Sequence, residues 1–102
     1  PVYMAPEQLR GREIDQRVDI FAFGVTMYET LTGQKPFNGD TSREVLLAQK
    51  NRDSHFAAPR DLNPSIPAAV ERIILQCIEF DADKRYPHIS YLVAGLRKAL
   101  YV

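Results

Sequence analysis

The sequence predicts an all-α fold, and three observations carry that prediction. Apolar residues recur with a period near 3.6 between Pro67 and Phe80 and again from Ile89 to Leu100. No stretch of useful length alternates apolar with polar residues as a half-buried strand would. Between them, Val18, Ile20, Phe21, Ala22, Phe23, Val25, Met27, Tyr28 and Leu31 leave no broad polar face, so their helix must be surrounded by protein.

The elements follow in order from local chemistry. Pro6-Glu7-Gln8-Leu9-Arg10 reads as one short helical segment. Proline is tolerated at the first helical position, where its missing N–H would have had no partner, and Glu7 then faces the positive end of the helix dipole. Gly11 stops the segment. Asp15 is the candidate N-cap of the central helix, whose charges Asp15, Arg17, Asp19 and Glu29 lie near its ends. Gly33 terminates it and Pro36 prevents its resumption. A shorter helix from Ser42 to Lys50 starts after the capping candidates Asp40 and Thr41. The polar, proline-bearing stretch from Asn51 to Pro64 reads as a loop. Two amphipathic helices complete the chain. One presents Val70, Ile73, Ile74, Cys77 and Ile78 to the core. The other presents Ile89, Leu92, Val93, Leu96 and Leu100, with Arg97 and Lys98 in its last turn. Four substantial helices can hardly enclose the most apolar of them on every side, so part of its surface should meet something outside this chain.

With 102 residues the chain fits one domain or part of one, and 45% hydrophobic with 25% charged residues is the composition of a soluble globular protein. Its 13 basic residues balance 13 acidic ones. That argues against nucleic-acid or anionic-membrane binding, both of which need clustered positive charge. No run approaches a membrane span and no signal-peptide pattern opens the chain. The first residue is a proline rather than methionine, so a piece of a longer protein is expected. Cys77 has no internal disulfide partner, and its helical spacing from Val70, Ile73 and Ile74 predicts a buried small apolar residue. His55 and His88 are far apart and lack ligand spacing, so no metal site is expected.

Four motifs then occur in a fixed order: Pro1-Val-Tyr-Met-Ala-Pro-Glu7, Asp19-Ile-Phe-Ala-Phe-Gly-Val25, Leu31-Thr-Gly-Gln-Lys-Pro-Phe37 and Asp83-Lys-Arg-Tyr-Pro87. Together they resemble the C-terminal half of the large, helical lobe of a eukaryotic-like protein kinase, from the end of the activation segment to the last helix. On this resemblance residues 1–102 are a partial kinase domain. Tyrosine kinases usually carry tryptophan where this chain has Tyr3, which favours serine/threonine specificity. The compact joins look more like a bacterial member than an animal one.

The resemblance also implies roles. Pro1, Tyr3 and Met4 would belong to the loop that cradles the residue following the phosphorylated one, and Glu29 with Tyr3 would contact substrate residues before it. Asp19 would anchor the catalytic loop by accepting backbone N–H groups. In this chain alone it is expected to lack such donors and to lie beside an exposed apolar patch. Read by itself Arg85 is a solvated loop cation, but the resemblance pairs it with Glu7 in a buried, two-pronged ion pair. Departures are small: Thr26 and Thr30 stand where larger apolar residues are frequent, and Ala82 where proline is.

The full-length protein would use ATP and Mg2+ to phosphorylate serine or threonine in a protein substrate. None of the glycine-rich loop, a His-Arg-Asp triplet or an Asp-Phe-Gly triplet occurs here. The chain is therefore expected to hold no catalytic residue, metal ligand or nucleotide, and to serve as the substrate-side platform and scaffold. Its partners would be the protein substrate, the missing lobe and the catalytic loop, with no nucleic acid and no direct membrane contact. A cytoplasmic location is expected for the kinase domain, which leaves open a membrane anchor elsewhere in the parent. The alternative is the helical docking lobe of a pseudokinase, a binding module.

Overall fold

The computed structural model describes residues 1–101, without the side chain of His55. Its helices are α1 (Pro6–Leu9), α2 (Arg17–Thr32), α3 (Ser42–Lys50), α4 (Arg52–His55), α5 (Pro59–Leu62), α6 (Ala68–Cys77) and α7 (Ile89–Tyr101), with a 3-10 turn at Ala82–Lys84 before α7. No strand occurs among the described residues, as the all-α reading expects.

The core forms where α2 crosses α6. Ile20, Phe21, Val25 and Tyr28 from one side meet Val70, Ile73, Ile74 and Cys77 from the other, all buried. Gly24 sets how closely the helices approach: a methyl group there would lie 2.5 Å from Cys77 Cβ and 2.8 Å from Ile78 Cγ2. An aromatic row extends the core from α2 to Phe37 and Phe56. Ring centroids lie 6.0 Å apart for Phe21 and Phe37, 6.1 Å for Phe37 and Phe56, and 5.8 Å for Phe56 and Tyr28. These are favourable separations for aromatic pairs. Burial pushes the Cys77 thiol up to about 12, so it stays a neutral apolar residue at neutral pH.

Termini follow local chemistry. Gly33 adopts φ 76°, the left-handed conformation that ends α2, and its N–H donates to the Glu29 carbonyl. Thr41 Oγ1 accepts the Glu44 N–H at 3.2 Å, and Glu44 Oε2 in return accepts the Asp40 N–H at 2.8 Å. Three expectations need correction. The residue capping α2 is Gln16, while Asp15 sits one position earlier and accepts the Arg17 N–H at 2.8 Å. The stretch from Asn51 to Pro64 is not all loop, because it folds into α4 and α5. Arg52 donates to the carbonyls of Leu75 at 2.9 Å and Ile78 at 3.3 Å, and Tyr28 donates to the Ala57 carbonyl at 2.6 Å, which fixes both turns against the core. By contrast, the open surface expected on α2 is present: Asp19, Phe23, Thr26 and Thr30 form an exposed stripe. Finally, of the apolar set on α7 only Leu92 is buried, and Ile89, Val93 and Leu100 lie open to solvent.

Candidate functional site

The N-terminal loop, α1 and the turn before α7 meet around one guanidinium. Helix α1 starts where Pro6 supplies its fixed φ, and the Gln8 side chain reaches back to accept the Ala5 N–H at 2.8 Å. Glu7 thereby projects towards the junction of α6 and α7. There Arg85 Nη1 and Nη2 donate to Glu7 Oε2 and Oε1 at 2.8 and 2.9 Å, a fork-to-fork pair across 78 residues of sequence. The remaining guanidinium N–H groups donate to the carbonyls of Glu79 at 2.8 Å, Phe80 at 3.2 Å and Arg17 at 3.3 Å. The Phe21 ring lies beneath the plane, 4.9 Å from its carbon. The Arg85 side chain is fully buried and that of Glu7 is 15% exposed. Burial pushes the Glu7 carboxyl up, but the hydrogen bonds and charge of Arg85 outweigh it and hold the group below the ordinary glutamate range.

A second ionic group flanks this pair. Arg17 bridges Asp15 at 3.0 Å and Asp83 at 2.7 Å. Asp15 holds Arg17 from its own helix start, and Asp83 holds it from the turn before α7. The Gln16 side chain donates to the Pro87 carbonyl at 3.0 Å, tying the start of α2 to the same turn.

The predicted substrate-facing residues divide. Tyr3 and Met4 are 39% and 37% exposed, and Pro1 is exposed with its carbonyl accepting the Met4 N–H at 3.0 Å. The Tyr3 hydroxyl donates to Glu29 Oε1 of α2 at 2.5 Å, and the Lys35 ammonium lies 5.8 Å from the Tyr3 ring centroid. Tyr3, Glu29 and Lys35 thus form one surface cluster, and the hydrogen bond to Glu29 raises the phenol above its ordinary value. Asp19 is exposed in the first turn of α2, beside Phe23, which is 39% exposed. No backbone N–H of another segment reaches its carboxylate among the described residues.

Sequence reasoning missed one residue altogether. Gln49 of α3 is 2% exposed, and its amide nitrogen donates to the Met4 carbonyl at 2.8 Å. A glutamine on a short amphipathic helix gives no sign of burial in the sequence. Among the described residues no group of three or more His, Cys, Asp or Glu could hold a metal ion. The nearby acids are already engaged by Arg17 and Arg85. His55, which the sequence sets aside as a metal ligand, has its side chain outside the described residues.

Residues 1–94 match the protein kinase domain family. This chain belongs to the protein kinase family. It is 44% identical over 86 residues to the tyrosine-protein kinase MasK of Myxococcus xanthus, covering 84% of this chain and 13% of that protein. It is 39% identical over 100 residues to the serine/threonine-protein kinase Pkn1 of the same organism, covering 98% and 14%. It is 35% identical over 97 residues to the serine/threonine-protein kinase PrkC of Bacillus subtilis, covering 95% and 15%. The chain thus spans only about a seventh of the length of these relatives. Among solved structures, the kinase region of twitchin from C. elegans superposes with a TM-score of 0.77 over 92% of this chain and 16% of that one, at 21% identity. That likeness speaks to the helical fold of the kinase lobe.

Proposed function

We propose that this chain is the substrate-side and scaffold part of a serine/threonine protein kinase whose full-length form transfers the γ-phosphate of ATP to a protein hydroxyl. The observation that carries this reading is the Glu7–Arg85 fork, which fastens the exposed loop of Tyr3 and Met4 to the helices behind it. A loop that must present a peptide to a reactive centre gains from being fixed, because small misplacements of a reactant cost large factors in rate. Glu29 adds a carboxylate at the edge of the same surface and favours a basic residue in the peptide before the phosphorylated one. Asp19 and the exposed stripe of α2 are the face on which the catalytic loop docks.

ATP and Mg2+ belong to the full-length protein. The acids described here have no arrangement that fits a metal ion, so no step is assigned to nucleotide or metal within these residues. The substrate is a protein bearing serine or threonine, and the reaction takes place in the cytoplasm. Within the chain, no helix among the described residues is long and apolar enough to cross a membrane.

The test is incubation of the full-length protein with Mg-ATP and a peptide library, followed by phosphoamino-acid analysis. Phosphoserine and phosphothreonine are expected, with a preference for basic residues on the N-terminal side that weakens in Glu29→Ala. Phosphotyrosine as the main product would overturn the specificity. Absence of any transfer would favour a pseudokinase docking lobe.

A further inference from the structure

Met4 stands in the loop assigned to the substrate above, and its side chain is exposed while its carbonyl turns inward to α3. The donor that meets this carbonyl is the buried amide nitrogen of Gln49, 2.8 Å away. The other amide atom, Gln49 Oε1, is buried and has no hydrogen-bond partner among the described residues. That combination is informative. A buried acceptor without a donor destabilises, whereas replacing a polar group by an apolar one of the same shape is close to neutral. An apolar side chain would therefore fill this place between α1 and α3 more favourably, unless the N–H group of Gln49 is needed.

We infer that Gln49 is a positioning residue that sets the height of the substrate loop by holding the Met4 carbonyl. The Met4–Ala5 peptide unit of the loop is then held at both ends. Gln8 of α1 takes the Ala5 N–H at 2.8 Å, and Gln49 of α3 holds the carbonyl just before it. One residue earlier Tyr3 keeps its hydroxyl on Glu29, so the peptide-facing surface is fixed on α1, α2 and α3 together. Helix α3 is thereby part of the substrate site through the Met4 backbone. Gln49 acts through the backbone of Met4 and touches no substrate itself.

This inference rests on the substrate-loop reading, and the experiment separates the two. In the full-length protein, Gln49→Met keeps an unbranched side chain of similar shape and removes both the N–H donor and the orphaned oxygen. Unfolding temperature, hydrogen exchange at the Met4 and Ala5 amides, and kinetics with varied peptide and varied ATP are compared with wild type. The expected result is an unfolding temperature that holds or rises, with exchange at these amides about tenfold faster. kcat/KM for peptide should fall about tenfold while KM for ATP is unchanged. Unchanged kcat/KM for peptide overturns the proposal. So does a lowered unfolding temperature with the KM values for peptide and ATP rising together, which is the mark of a merely structural glutamine. If the wild-type protein phosphorylates nothing, the substrate reading fails and the exchange arm decides alone: accelerated amides keep Gln49 as the anchor of the loop, and unaltered ones remove it.

Discussion

Arg85 has every N–H of its guanidinium directed at an acceptor: two on Glu7, and one each on the carbonyls of Glu79, Phe80 and Arg17. A buried cation is tolerable only when satisfied in this way, and removing one partner of such a pair costs on the order of 3–5 kcal/mol. Arg85→Met and Glu7→Gln should each lose stability in that range by chemical denaturation. Arg85→Lys should lose nearly as much, because an ammonium cannot reproduce the fork or reach the three carbonyls together. The pH dependence has a definite sign. The Glu7 carboxyl sits below its ordinary value in the folded state, so its contribution is fully present above that ordinary value, about 4.3. It is lost as pH falls from there through the depressed folded value. Wild type should therefore lose stability more steeply than Glu7→Gln across that acidic window, and parallel curves would contradict the assignment. Neither residue declares this role locally. Glu7 reads as a first-turn acid and Arg85 as a loop cation, and their pairing was legible only through the kinase motifs that contain both. Gln49 belongs to no motif and shows no period, so it stayed hidden.

At the scale of elements, the contact between α2 and α6 depends on Gly24 having no side chain. A Cβ at that position would overlap Cys77 Cβ and Ile78 Cγ2, and Cys77 Cβ cannot move without shifting the backbone of α6. Gly24→Ala should cost about 1–3 kcal/mol despite the better helix propensity of alanine, read as a lowered unfolding temperature. Adding Cys77→Gly removes the nearest clash and should recover part of that loss. A neutral Gly24→Ala would mean the helices are not packed this closely. Legibility at this scale followed the strength of each local signal. Ser42–Lys50 was readable because the capping candidates Asp40 and Thr41 precede it, and Thr41 does accept the Glu44 N–H. The helices α4 and α5 escaped because four residues are too few to establish a period. The exposed set on α7 has another cause: periodicity identifies which face is apolar, and it does not say whether anything covers that face.

Across the whole molecule, the same few residues join parts distant in sequence. Glu7 and Arg85 connect the first helix to the last junction, Arg17 connects the start of α2 to Asp83, and Tyr3 connects the loop to Glu29 near the end of α2. The surface of α2 bearing Asp19, Phe23, Thr26 and Thr30 lies outside this network and remains open. The all-α class and the kinase relationship were legible from composition, periodicity and motif order. The exposure of this stripe was foreseeable only in kind, from the small number of helices available to enclose α2. The central claim is that the Glu7–Arg85 pair fixes the loop that presents the peptide, and a double-mutant cycle in the full-length protein tests it most directly. kcat/KM for peptide is measured for wild type, Glu7→Gln, Arg85→Met and the double variant. The account predicts that the double variant loses far less than the two single losses combined, with a coupling of about 2–3 kcal/mol. Additive losses, with no coupling between the two positions, would contradict it.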